Sequence, residues 1–170
     1  MTKPRLTAER RRINFEAYRN ARKAAQEEDR FFCWAGVNCF ELMHPVCGHE
    51  HMLVGMAMDP DWVRDMAMTY AQLTIELQEI LFAEEGLPDG IWYYEDMGFK
   101  QRPFMSPSMY REIIKPAHEK TMDHAHSLGL DVIMHSCGFV EPLLPDMVDA
   151  GIDCLLVMEV KAGMDPLRIK

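Results

Sequence analysis

The sequence predicts an α/β fold built on a parallel sheet, and three observations lead there. Short runs rich in aromatic and β-branched residues alternate with longer runs whose apolar residues recur at helical spacing. Helix-start signals stand ahead of two of the longer runs. No Gly/Ser linker, internal repeat or low-complexity segment divides the 170 residues. Alternation of this kind implies right-handed crossovers between parallel strands, and either an open doubly wound sheet or part of a (β/α)₈ barrel satisfies it.

Residues from about Thr7 to Glu28 are rich in Ala, Glu, Arg and Lys, with Ile13, Phe15, Tyr18 and Ala21 as the apolar face of a first, basic helix. Arg30 to Ala35 reads as the first strand, ending at Gly36, and a long loop through Gly55 is expected after it. Asp59 and Pro60 then open a helix, Asp as the cap and Pro at the first helical position, where its missing N–H costs nothing. Its stripe is Val63, Met66, Ala67, Tyr70, Leu73, Leu77 and Ile80, stopping at Gly86-Leu87-Pro88. Ile91 to Tyr94 is the second strand. Ser106-Pro107 repeats the start signal for a helix carrying Tyr110, Ile113, Ile114, Ala117, Thr121, Ala125 and Leu128, in which Pro116 predicts a kink. Asp131 to Met134 is a third strand. Val140 to Ala150 is a shorter helix with Leu143, Leu144, Met147 and Val148 inward, and Asp153 to Met158 a fourth strand.

Charge bounds the partners. Residues 1–30 hold nine Lys/Arg against five Asp/Glu, leaving nine against twenty-two for the rest of a chain of net charge −9. So acidic a body disfavours nucleic acid, whose binding rests on neutralising phosphates with a basic face. No apolar stretch reaches the roughly 20 residues that cross a bilayer, and the start Met1 to Arg5 lacks the apolar core of a secretion signal, so a cytoplasmic protein without membrane contact is expected. The five cysteines, 33, 39, 47, 137 and 154, are odd in number and irregularly spaced, as suits free thiols in a reducing compartment.

In both candidate architectures chemistry sits beyond the carboxyl ends of the strands. That rule selects Gly36 to Gly55, Glu95 to Met105, His135 to Phe139 and Glu159 to Met164. In the third of these, His135 and Cys137 are two apart, so an extended chain projects imidazole and thiol to one side while Gly138 turns the backbone away. Nitrogen plus sulfur suits zinc; the same pair also fits a buried thiol beside a hydrogen-bonded His. The segment His44 to His51 is dense in potential ligands, with Cys39, His44, Cys47 and His49 read as pocket-wall residues that touch substrate and a separate metal site there as the alternative. Glu95 and Asp96, and Glu159 after the fourth strand, are the candidate catalytic carboxylates, Asp96 being equally compatible with a turn role. Met97 is read as a substrate contact. The 15 methionines suit either adaptable pocket walls or core filling. No glycine-rich phosphate loop is present.

From Asp89 onward the sequence resembles the uroporphyrinogen decarboxylase superfamily, which also contains cobalamin-dependent methyltransferases that use a zinc-bound thiol as methyl acceptor. The resemblance rests on Asp89 to Gly98, Phe104 to Pro107, Tyr110-Arg111-Glu112, Pro116, His135 to Gly138, Leu143-Leu144-Pro145, Gly151 to Asp153 and Ala162 to Asp165, in that order. Residues 30–88 fit more loosely, and residues 1–29 resemble only the preceding helix. The resemblance implies that residues 30–170 are the central part of a (β/α)₈ barrel of about 250 residues or more, with about four of its strands and their flanking helices. A half barrel exposes two sheet edges, so the chain is expected either to belong to a longer protein or to form a homodimer that covers them.

Within the superfamily His135 and Cys137 stand where the methyltransferase branch carries its first two zinc ligands, the third being a Cys from a later strand expected beyond Lys170. The implied activity is zinc-dependent methyl transfer between a corrinoid, free or carried on a protein, and a small-molecule thiol, with Glu95 or Glu159 as carboxylate partner. Two alternatives are a uroporphyrinogen decarboxylase and a non-catalytic paralogue that acts as a binding or assembly module. Against the decarboxylase, the loop Met43 to Val46 has no Tyr where that branch carries one. The selected loops also offer Lys100, Arg102 and Lys161 against Glu41, Glu50, Glu95, Asp96 and Glu159, a poor match to a substrate dense in carboxylates.

Overall fold

A computed structural model describes residues 6–169. Met1 to Arg5, the start that lacks the apolar core of a secretion signal, and Lys170 lie outside the described residues. Four strands, β1 (Cys33–Val37), β2 (Gly90–Tyr94), β3 (Asp131–His135) and β4 (Cys154–Leu156), form one parallel sheet in the order β1-β2-β3-β4. The chain moves to the adjacent strand at each crossover, the order of a (β/α)₈ barrel rather than of a doubly wound sheet, which reverses direction at a switch point. The fold is therefore a four-stranded barrel segment, with β1 and β4 as its outer strands among the described residues.

Burial follows the two-residue period of the strands. Ile91, Tyr93, Val132 and Met134 are fully buried on the face that meets the helices, and each such burial stabilises by about 1.5–3 kcal/mol. The opposite face, which lines the interior of a barrel, carries Val37, Trp92, Tyr94, Ile133 and His135, with Val37 and Tyr94 exposed. The helical layer is α1 (Phe15–Glu27), α2 (Cys39–Cys47), α3 (His49–Met58), α4 (Pro60–Glu85), α5 (Pro107–Met109), α6 (Lys115–Ser127), α7 (Leu144–Asp149) and α8 (Pro166–Ile169). None of the described helices is long and apolar enough to cross a membrane.

Most elements fall where the pattern predicts, and the departures have local causes. Asn14 caps α1 by accepting from Ala17 N, so the first helix starts at Phe15, preceded by a 3₁₀ turn at Arg10–Arg12. β1 begins later than expected because Asp89 clamps Phe32, accepting its N–H and donating its own to the Phe32 carbonyl. It then continues past Gly36, whose missing side chain leaves room for the Trp34 ring. The largest correction is the expected loop from Gly36 to Gly55, which is mostly helical. Asn38 caps α2 through Cys39 N, the positive φ of Gly48 separates α2 from α3, and Phe40, Met43, Met52 and Met56 supply the buried faces.

Asp59 caps α4 as predicted. Pro116 does disturb its helix: Tyr110–Ile114 form a π turn directly ahead of α6, and the Glu112 carbonyl, left without the N–H that residue 116 would have supplied, accepts from Arg64 Nε at 2.6 Å. The helix expected over 140–150 is a 3₁₀ turn at Glu141–Leu143 followed by α7, and Val148 faces solvent rather than the core. β4 is three residues long, shorter than predicted. The methionines fill the core for the most part: Met43, Met52, Met56, Met97, Met105, Met122, Met134, Met147 and Met164 are buried.

Candidate functional site

The carboxyl ends of β2 and β3 are pinned together, and the pin positions the site. Glu95 N donates to the His135 carbonyl, Ser136 Oγ accepts from Met97 N, and Phe139 N donates to the Phe99 carbonyl. Gly98 and Gly138 make this approach possible. A Cβ on Gly98 would lie 2.3 Å from the Cys137 carbonyl oxygen, and one on Gly138 2.3 Å from the Gly98 carbonyl carbon. Gly138 also has φ +80°, which favours glycine.

On this frame Ser136 is buried, while His135 and Cys137 project together toward the mouth. His135 Nε2 lies 3.2 Å from Cys137 Sγ. Asp96 Oδ1 accepts from Cys137 N at 2.7 Å and stands 3.6 Å from His135 Nε2. Glu159, after β4, accepts the next backbone N–H, that of Gly138, at 2.7 Å. Burial, then Asp96, Glu159 and Glu41, push the Cys137 thiol above its ordinary pKa. Burial, followed by Asp96 and Glu95, raises the Glu41 carboxyl as well. Among the described residues none of Glu41, Asp96 and Glu159 is paired with a Lys or Arg. The mouth is thus a concentration of carboxylate around one imidazole and one thiol.

Glu95 is elsewhere. It is wholly buried, with Oε1 accepting from Phe40 N at 2.8 Å and meeting His118 Nε2 at 2.6 Å, and Oε2 accepting from Glu41 N at 3.1 Å. His118 Nδ1 is in turn 2.9 Å from the Tyr110 hydroxyl. This carboxylate satisfies the first turn of α2, where the helix dipole favours a negative charge. The reading of Glu95 as a catalytic carboxylate at the mouth is corrected: its side chain points into the helical layer, away from the mouth.

Two substrate contacts are corrected on the same ground. Cys39 is fully buried against Glu95, its thiol pKa pushed well up by burial and then by that carboxylate, and Met97 is fully buried in the core. Cys47 is half-buried and donates to the Met43 carbonyl at 3.2 Å. His44 and His49 stand in a row of rings, Phe40, His44, His49 and Phe104, with centroids 4.5–4.8 Å apart. Burial, then His49, lowers the pKa of His44. The structure does not gather His44, Cys47, His49 and His51 into a metal-binding group. The two groups of three convergent ligand atoms among the described residues are Asp96, His135 and Cys137 at the mouth, and Cys39, Glu95 and His118 in the interior.

His118 and Tyr110 escape sequence reasoning as polar partners. Eight positions apart on a helix, they carry no motif, and Tyr110 reads as one more apolar residue of a stripe. Glu41 could have been found, since Asn38 is a helix-cap residue and Glu41 lies in the first turn that follows it.

A parallel barrel segment with imidazole, thiol and carboxylates at the carboxyl ends of its strands has the site architecture of the (β/α)₈-barrel proteins. The model of the uroporphyrinogen decarboxylase (URO-D) family matches residues 9–164, and the chain belongs to that family. Among solved structures, a methyltransferase from Methanosarcina mazei shares the fold with a TM-score of 0.69 at 20% identity, over 84% of this chain and 40% of that one. The chain therefore spans well under half the length of that structure. No curated protein matches it.

Proposed function

We propose that this chain carries the metal-binding part of a zinc-dependent methyltransferase of the URO-D family, acting between a corrinoid methyl donor and a thiol acceptor. The observation that carries the reading is the convergence of His135 Nε2 and Cys137 Sγ to 3.2 Å at the open mouth of the sheet. Their donor chemistry fits zinc: one neutral nitrogen and one sulfur that becomes thiolate on binding. The carboxylates, none of them paired with a Lys or Arg among the described residues, favour a divalent cation at this point, and with burial they raise the thiol's pKa. Zinc bound there would supply Lewis acidity that lowers the pKa of an acceptor thiol and keeps it nucleophilic.

The chain's own residues orient that site. Asp96 and Glu159 accept successive N–H groups of the turn Cys137-Gly138, which fixes the thiol relative to the imidazole. Half-exposed His135 and Asp96 leave the site reachable from solvent, with side-chain exposures of 22% and 37%. A tetrapyrrole decarboxylase would need a cationic mouth, whereas Asp96 and Glu159 set carboxylates beside the Cys137-Gly138 turn.

The test is metal content together with turnover. Protein purified without chelator is expected to hold one zinc, Cys137→Ala none, and methylcobalamin to be demethylated by a small thiol only with the former. Absence of zinc from both proteins would refute the proposal.

A further inference from the structure

We propose that Asp96 is itself a protein ligand of this metal site, joining His135 and Cys137. The inference rests on the zinc reading above and adds a ligand to it.

Geometry is the first support. In tetrahedral zinc, with bonds of about 2.3 Å to sulfur and about 2.0–2.1 Å to nitrogen or oxygen, neighbouring ligand atoms stand about 3.3–3.6 Å apart. His135 Nε2 is 3.2 Å from Cys137 Sγ and 3.6 Å from Asp96 Oδ1, and all three ligand atoms lie within 4.8 Å of one another. Little movement separates this arrangement from a ligand set.

Rigidity is the second. Asp96 and the His135-to-Cys137 pair come from adjacent strand ends that are tied by Glu95 N to the His135 carbonyl and by the contact of Gly98 with Gly138. Asp96 Oδ1 holds Cys137 N, and a carboxylate has lone pairs to spare for a metal. Glu159 is similarly placed against Gly138 N but is not in the convergent group.

The interior trio provides the contrast. Cys39, Glu95 and His118 also converge, yet all are wholly buried and their polar atoms are already engaged with Phe40 N, Glu41 N and Tyr110. No position is open there for an exchangeable ligand. The mouth trio has nitrogen, sulfur and oxygen donors and is partly exposed, as a zinc site that exchanges a ligand with solvent or substrate requires.

The experiment is zinc titration of the chelator-treated full chain against a chromophoric indicator, with the Asp96→Asn, Glu159→Gln and Cys137→Ser variants alongside. Asn keeps an oxygen to accept Cys137 N while losing the charge. Asp96→Asn is expected to weaken zinc by more than the about 10- to 100-fold that follows loss of an indirect support, and Glu159→Gln by less than that. Cobalt spectra give a second readout: Asp96→Cys should add a second thiolate-to-cobalt charge-transfer contribution, nearly doubling the near-ultraviolet absorbance per cobalt.

Zinc affinity unchanged in Asp96→Asn but lost in Cys137→Ser would overturn the ligand role of Asp96 and leave the zinc reading standing. So would a single-thiolate spectrum in cobalt-loaded Asp96→Cys. No zinc binding by the unmodified chain would overturn both.

Discussion

Glu95 and Asp96 are neighbours in the chain and end in opposite environments. Each stands in a trio with one histidine and one cysteine, Glu95 with His118 and Cys39, Asp96 with His135 and Cys137. The interior trio is sealed and its carboxylate is consumed by the N-terminus of α2. The mouth trio is half-exposed, and its carboxylate accepts one backbone N–H and converges with the cysteine thiol and an imidazole. Identical chemistry thus serves architecture on one side of the sheet and is available to a ligand on the other, and the two-residue alternation at a strand end is what separates them.

The most forceful way to break this contrast is Glu95→Gln. The substitution keeps one acceptor oxygen but sets an amide NH2, a donor, among the buried N–H groups of Phe40 and Glu41 and the His118 ring, and should destabilise the protein by about 3–5 kcal/mol, measured by urea unfolding. Asp96→Asn under the same conditions should cost less than about 1 kcal/mol. Equal losses would mean that the two carboxylates play the same structural part.

Gly138→Ala comes next. The added Cβ meets Gly98 backbone and must adopt a positive φ, so about 1–3 kcal/mol of stability should be lost together with zinc binding. Gly129→Ala, also at a positive φ but with nothing within 4 Å of the added Cβ, should retain the zinc.

A smaller effect sharpens the comparison through pH. Both thiols are raised above the ordinary value, Cys39 by burial and then Glu95, Cys137 by burial and then Asp96. Metal-free protein treated with iodoacetamide should therefore be labelled at Cys137, slowly at neutral pH and faster as pH rises through and beyond the usual thiol range, and not at Cys39 while folded. Asp96→Asn removes one repelling charge, so its Cys137 should react several-fold faster near pH 8; mass spectrometry of the labelled peptides reads both sites. Labelling of Cys39 in the folded state would contradict its burial.

Legibility in the sequence followed the range of the forces involved. Caps and glycine stops act over a few residues, so Asp59, Ser106 and Gly86 marked their helix ends. The His135 and Cys137 pair was legible because strand geometry alone sends residues two apart to one side. The helices α2 and α3 were obscured by a composition that resembles a ligand loop, although Phe40 and Met43 are three apart and Met52 and Met56 four apart, both helical spacings. The burial of Cys39 has no local signature because it depends on Glu95, 56 positions away.

By itself the sequence determined the order of the four strands with the long helices α1, α4 and α6 around them, the parallel sheet they require, and the common direction of His135 and Cys137, since each depends on local propensity and a two-residue period. Tertiary structure alone decided which carboxylate meets them. Alternation sends Glu95 and Asp96 to opposite faces of the strand end without saying which face is the mouth; the packing of α2 and α6 against the sheet surrounds one with N–H donors and His118, and leaves the other beside the thiol.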